Sequence, residues 1–450
     1  VTNNKKYVPK SPNGNWLTGH LKDFQKDPLG FLSSHSQDYK DITQIRFGPF
    51  TKVYVVSNPH LIKEILVTKQ KSFIKSHDLR VLRDVVGEGL LTSEKDVHLR
   101  QRRLIQPSFQ HSHITNYATD MIETTQKYLE KWQDGHQYLM TDEMMNITLG
   151  IISKTMFSMD FDEGVKKIGK PIETYMKLAV KRMRSLAPFP LWVPTQRNRE
   201  YKHSIESLNK VIYSIIDKRK QDQDVYHDLL GVLLNAKDEK DGLGMSDEQL
   251  KDELMTIFLA GHETTANALS WTLYLLSQNS EVEQRLHEEV ERVIGNSPIE
   301  PKHYRDLQYT QNVIWESLRL YPPAYVIGRE VDQDVDIGGY SLKKGDMILM
   351  SQYAIHRKED YFEQPNAFIP ERFENNFIRS IPTYAYFPFG GGPRVCIGNH
   401  FAIMEAVLVL ACIAQRFRWK LAPDHHVIKP QPLITLRPKH GLRMIVEEKR

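Results

Sequence analysis

Two kinds of apolar spacing divide the chain. Near the N-terminus, Ile42-Thr-Gln-Ile-Arg-Phe47 and Val53-Tyr-Val-Val56 are β-branched and aromatic runs parted by Gly48-Pro49, and they predict a hairpin. Asn58-Pro59 then turns the chain into a short helix, Leu61-Ile-Lys-Glu-Ile-Leu66. Residues 76–96, with Gly87-Glu-Gly-Leu-Leu91-Thr-Ser93, keep neither period and read as a loop. From about 112 to 225 the period is helical. It breaks at Leu186-Ala-Pro188-Phe-Pro190-Leu-Trp192-Val-Pro194, because proline cannot continue a helix.

Two later runs are stronger. Ser246-Asp-Glu-Gln249 has the form of a capping box, and no proline follows before Gln278. A helix of about 32 residues spans roughly 48 Å, a length that crosses a globular core. Its middle holds Ala260-Gly261-His262-Glu263-Thr264-Thr265. Glycine and polar groups inside an apolar helix cost stability. Either the threonines bond back to the preceding turn, or the polar groups have a chemical task. The second run, Phe401 to Ala414, is almost continuously apolar and reads as a buried helix. Its core from Ala406 to Ala414 is bracketed by Glu405 and Gln415 and is too short to cross a bilayer.

Ahead of that helix stands Phe389-Gly-Gly-Gly-Pro-Arg-Val-Cys396-Ile-Gly398. The glycines and proline predict a tight, open turn. Cys396 then lies just before a helix N-terminus, where unpaired N–H groups and the helix dipole favour a thiolate. Arg394 offers a fixed cation to an anionic group. The plain alternative is a structural cysteine beside a turn. Cys412 lies inside the apolar run and reads as core. Glu316 and Arg319 share a helix face and, taken alone, suggest a surface ion pair. Val313-Ile-Trp315 and Leu318 make that helix apolar enough to be buried, and Pro370-Glu371-Arg372-Phe373 follows downstream.

Composition narrows the classes. The 450 residues are 40% hydrophobic and 26% charged, enough for a large core without staples. Basic and acidic residues number 60 and 56, a net charge of +4 that argues against a nucleic-acid binder. Two cysteines in 450 residues fit a reducing compartment and exclude a disulfide framework. Val1 to Pro12 carries neither a signal peptide nor a membrane span, so a cytoplasmic protein with no transmembrane anchor is expected.

The spacing Phe389-x-x-Gly-x-Arg-x-Cys-x-Gly398 resembles the haem-ligand loop of the cytochrome P-450 family. The resemblance implies that Cys396 is the iron ligand of haem, iron protoporphyrin IX. It implies that Phe389 packs near the sulfur, that Arg394 pairs with a propionate, and that Gly398 belongs to the same cofactor-binding loop. Ala260 to Thr265 resembles the family's oxygen-activation motif, in which the helix is distorted around oxygen. That likeness implies Thr264 and Glu263 as catalytic proton guides, with Ala260 and Gly261 leaving room for the ligand. Glu316, Arg319 and Arg372 resemble the buried Glu-Arg-Arg network that fixes the meander leading to the cysteine. Arg102 and Arg329 fall at propionate-binding positions, and His98 stands where many members have tryptophan four residues before Arg102. Leu91, Ala260, Ala324, Val326 and Ile434 fall at substrate-lining positions. The proline break corresponds to a lid, and Gln431 to Arg437 to a returning hairpin. His356 reads as a surface or haem-edge residue.

These motifs occur in the family's order over almost the whole chain. They imply a mainly α P-450 fold with a small β region, described in the family as a triangular prism with a long central helix. One haem domain over 1–450 is expected, with a β-rich corner at about 40–60, the helical bulk at about 95–320 and the ligand loop at 389–398. The implied activity is a haem-thiolate monooxygenase that inserts one atom of O2 into a C–H bond of an apolar substrate. Electrons are expected from NAD(P)H through a separate ferredoxin or flavodoxin and its reductase, because no redox domain follows the last hairpin. Arg100 and Arg103 are expected to form a basic docking patch for that donor. The Gly-Glu-Gly-Leu-Leu-Thr-Ser loop is similar to that of bacterial fatty-acid hydroxylases and implies a fatty acid, with a terpenoid or steroid as the alternative. A peroxide-driven haem enzyme or a haem sensor ranks lower, since the acid–threonine pair is intact. A soluble monomer is expected.

Overall fold

The β-branched runs pair as their spacing predicts: Ile42–Phe47 lies antiparallel to Thr51–Val56, joined by a turn at Gly48. The computed structural model describes residues 7–39, 41–160, 169–183, 190–222, 224, 226, 228–425 and 428–449. The chain packs as two units.

The first unit comprises 1–77, 312–396 and 430–437. Its sheet has five strands in the order Ile42–Phe47, Thr51–Val56, Met347–Met350, Ile327–Val331, Phe73–Lys75. The second and third strands are parallel and the other neighbours antiparallel. Successive side chains of Thr51–Val56 point to opposite faces. Tyr54 and Val56 pack with Ile62, Ile348 and Phe387, while Val53 and Val55 pack with Leu32 and Leu349. Burial on both faces is why this strand reads as an unbroken apolar run. The short helix begins at Pro59, capped by Asn58 accepting the His60 N–H at 2.8 Å, and passes into a π turn over Glu64–Thr68. Helix Gln308–Leu320 leads into this unit. The tail hairpin forms from Pro430–Pro432 and Leu436–Pro438.

The second unit comprises 78–311, 397–429 and 438–450. Its main helices are His111–Leu129, Met140–Phe157, Lys170–Met183, Gln196–Gln221, Asp247–Gln278, Ser280–Val293 and Asn399–Arg416. A three-stranded sheet of Gln137–Leu139, Arg443–Glu448 and Phe417–Leu421 accompanies them. The 32-residue helix Asp247–Gln278 starts at the expected capping box of Ser246 and Gln249. Part of the proline break, residues 184–189, lies outside the described residues; Thr195 caps the helix that follows. Among the described residues no helix is long and apolar enough to cross a membrane.

One expectation is corrected here. The stretch 76–96 is not a plain loop: a 3-10 segment His77–Leu82 and one helical turn Arg83–Val86 precede the glycines. Val85 and Val86 bury that turn, which is too short to register as a helical period.

Candidate active site

The cysteine loop is a backbone construction. Gly390 and Gly392 adopt φ of +73° and +64°, the left-handed region open to glycine. A Cβ on Gly392 would overlap the Leu66 carbonyl, and one on Gly391 the Tyr384 ring. The Cys396 N–H donates to the Phe389 carbonyl at 3.0 Å, closing the turn, and Val395 N–H donates to Gly392 at 3.0 Å. The Phe389 ring meets Trp315 edge-on at 6.0 Å. The result is a closed loop on which Cys396 is exposed and Arg394 half-buried. Gly398 then stands at the N-cap of Asn399–Arg416. Cys412, by contrast, is buried, and desolvation pushes its thiol up to about 12.

Behind the loop, in the same unit, is a fully satisfied ionic network. The Arg319 guanidinium donates through Nε and Nη2 to Glu316 at 2.7 and 2.8 Å, and to the carbonyls of His356, Pro365 and Ala367 at 2.8, 2.6 and 2.9 Å. All five of its N–H groups are engaged. Glu316 also accepts from Arg372 Nε at 3.3 Å and from the Ile369 N–H at 2.9 Å. Glu316 and Arg319 have no exposure, so each charge depends on the other. His356 is not a surface residue. It is wholly buried, and its Nε2 accepts the Phe387 N–H at 3.0 Å. The Gly390 N–H donates to the Phe387 carbonyl at 3.0 Å, so a chain of hydrogen bonds runs from Arg319 through His356 and Phe387 to the cysteine loop. Desolvation and then the nearby Arg319 charge hold the His356 imidazole well below its ordinary pKa.

In the other unit, the long helix is buried at every position from Asp252 to Leu273 except Ala260, Gly261 and Thr264. Ala260 is exposed and the other two half-buried, so these three residues make one opening in an otherwise covered helix. The Thr264 hydroxyl donates back to the Ala260 carbonyl at 2.6 Å, and Glu263 beside it is buried. The helical assignment runs unbroken through this stretch. Gly261 answers to helix packing: a Cβ there would overlap Ile152 Cδ1 of helix Met140–Phe157. The Thr148 hydroxyl of that helix donates to the His262 carbonyl at 3.0 Å. Thr265 bonds Glu405 of Asn399–Arg416, whose carboxyl burial raises well above the usual range. Sequence reasoning used Glu405 only to bracket an apolar run; its partner is 140 positions away along the chain.

The remaining residues fall into local groups. The segments that carry Ala324, Val326 and Ile434 are joined in the first unit, where the Leu436 N–H donates to the Pro323 carbonyl at 2.9 Å and the Tyr325 hydroxyl to the Leu433 carbonyl at 3.1 Å. Arg329 is half-buried on strand Ile327–Val331. In the second unit His98 is buried and Arg102 half-buried on helix Lys95–Ile105, one turn apart on one face. Leu91 is half-buried. The arginines expected to serve as a docking patch carry acidic partners: Arg103 pairs with Asp238 at 2.7 Å, and Arg100 with Asp241 at 3.3 Å. These acids lie far along the chain, so the pairing was invisible in the local Arg-rich pattern.

Cys396 suits a cofactor that brings its own metal. Among the described residues no group of three or more His, Cys, Asp or Glu could hold a bare ion. A single exposed cysteine on a closed glycine loop, with Arg394 two residues away, fits a haem held by one thiolate.

The family profile of Cytochrome P450 matches residues 9–444. The chain is 33% identical over 439 residues to Cyclooctatin synthase of Streptomyces melanosporofaciens, covering 97% of this chain and 95% of that one. It is 32% identical over 433 residues to Pentalenene oxygenase of Streptomyces avermitilis, covering 95% and 94%. It is 32% identical over 410 residues to Cyclooctat-9-en-7-ol 5-monooxygenase of S. melanosporofaciens, covering 90% and 88%. A solved cytochrome P450DA heme domain superposes with a TM-score of 0.90 at 28% identity, covering 98% of both chains. These names do not state a fatty acid, and the expected likeness to fatty-acid hydroxylases finds no support in them. The chain belongs to the cytochrome P450 family: it has that fold and is a monooxygenase that uses haem, O2 and NAD(P)H-derived electrons delivered by redox partners.

Proposed function

We propose that the chain hydroxylates a C–H bond of a terpenoid, with Cys396 as the iron ligand and electrons from a ferredoxin or flavodoxin and its reductase. The observation that carries this reading is Cys396, exposed on its glycine-built loop just before a helix N-terminus. Haem held by a cysteine thiolate supplies oxygen activation and its insertion into a C–H bond. The chain's own residues do the rest. Arg394, Arg102, His98 and Arg329 are the groups assigned to the propionates. The Thr264 hydroxyl donates to the Ala260 carbonyl, and to relay a proton it turns from that carbonyl, giving up its own proton as it accepts another. Glu263 is the acid beside it. Leu91, Ala260, Ala324, Val326 and Ile434 are uncharged, so substrate is held by burial, each methylene contributing about 0.8 kcal/mol.

A terpenoid is preferred to a fatty acid because the relatives' names state pentalenene and cyclooctat-9-en-7-ol, fused-ring hydrocarbon skeletons. A rigid apolar body also needs no cation to anchor a carboxylate, and none stands among the lining residues. Titration of the ferric enzyme with pentalenene and with a fatty-acid series tests this. A substrate-type shift of the haem spectrum with pentalenene, tighter than with any fatty acid, supports it. Affinity that rises with fatty-acid length beside no response to pentalenene contradicts it.

A further inference from the structure

Asp252 and Glu253 are carboxylates buried in the first third of the long helix. Buried carboxylates require donors. These two take backbone N–H groups from one loop: Asp252 Oδ2 accepts from Glu88 at 2.8 Å, and Glu253 Oε2 from Leu90 at 2.9 Å. The glycines permit the approach. A Cβ on Gly87 would overlap the Asp252 carboxylate, and one on Gly89 the Thr256 hydroxyl. The loop's carbonyls are held as well: the Thr92 hydroxyl donates to Gly87 at 2.6 Å within the loop, and Gln101 Nε2 to Glu88 at 2.7 Å from the following helix. Glu253, Thr256, Ala260 and Thr264 follow one another at three- and four-residue steps, so they share one stripe of the helix. The loop is fastened to the first half of a stripe whose second half is open at Ala260 and Thr264. Leu90 and Leu91, both half-buried, are the apolar side chains that this loop carries.

We propose that Asp252 and Glu253 are positioning residues for substrate selection: they clamp the loop 87–92, and Leu90 and Leu91, so held, decide which apolar shapes fit beside Ala260 and Thr264. This rests on reading that opening as the substrate side of the haem. The haem-loaded ferric enzyme and its Glu253→Ala, Glu253→Gln and Gly89→Ala variants are titrated with imidazole and with 4-phenylimidazole. Glu253→Ala is expected to weaken 4-phenylimidazole about tenfold, equivalent to about 1.4 kcal/mol, and to leave imidazole within about twofold. Glu253→Gln keeps a carbonyl acceptor and restores wild-type discrimination. Gly89→Ala lifts the loop without touching the carboxylates and reproduces the loss, which covers the case in which Glu253→Ala does not fold. Amide hydrogen exchange at Glu88 and Leu90 quickens in Glu253→Ala and Gly89→Ala but not in Glu253→Gln. Equal discrimination between the two azoles in every variant overturns the proposal, even where exchange quickens, because the clamp is then structural only. Both azoles report on the opening whatever the natural substrate is, so a failed pentalenene titration leaves this comparison intact.

Discussion

His356 accepts the backbone N–H of Phe387 at 3.0 Å from a wholly buried position, and Arg319 donates to the His356 carbonyl at 2.8 Å. One histidine therefore joins the ionic network to the approach of the cysteine loop. Its folded pKa lies well below the ordinary 6.5, for desolvation and the Arg319 charge both oppose protonation. An unfolded chain takes up this proton as the pH falls through about 6.5, while the folded one does not. His356 thus contributes stability that is full above that pH and is lost progressively below it. Urea unfolding of wild type and His356→Gln at a series of pH values checks this: the wild-type advantage shrinks between pH 7 and 5. An advantage that is flat over that range contradicts the assignment.

Arg319→Ala leaves the Glu316 carboxylate buried with only Arg372 and the Ile369 N–H. Loss of about 3–5 kcal/mol is expected. Arg319→Lys retains the charge but cannot reach the three carbonyls and the carboxylate together, and is expected to lose most of the same stability. Denaturant midpoints read both.

Gly261→Ala is expected to destabilise by about 1 kcal/mol, as overlap with Cδ1 of the buried Ile152 outweighs the gain in helix propensity. Ile152→Val removes that atom. The double variant Gly261→Ala with Ile152→Val then recovers most of the loss, measured by thermal unfolding. If the glycine serves ligand room alone, Ile152→Val rescues nothing.

Thr264→Ala removes a hydroxyl bound only to its own helix, so fold and haem content are expected to hold. Product formed per NAD(P)H consumed falls severalfold, and hydrogen peroxide rises to match. Unchanged coupling means that Thr264 does not handle protons.

The sequence disclosed what depends on neighbours. The hairpin around Gly48-Pro49 and the capping box of Ser246 and Gln249 are local devices, and both formed as read. The cysteine loop was legible because its glycines and proline specify their own turn. Long-range partners were not. Arg103 meets Asp238 at a separation of 135 residues, a pairing that the local Arg-rich pattern could not show. Asp252 and Glu253 carried no signal in the sequence, because their loop partners lie 164 and 163 positions earlier. Gly261 read as room for a ligand, and its closeness to Ile152 of another helix was out of reach of the sequence.

The central claim is that Cys396 is the thiolate that holds the haem iron. The reduced carbon monoxide complex reports axial thiolate directly in its absorption spectrum, so it is recorded for wild type, Cys396→Ala and Cys412→Ala. The account predicts that the thiolate-type band is present in wild type and in Cys412→Ala and absent from Cys396→Ala. A thiolate-type band that survives in Cys396→Ala, or that vanishes with Cys412→Ala alone, contradicts it.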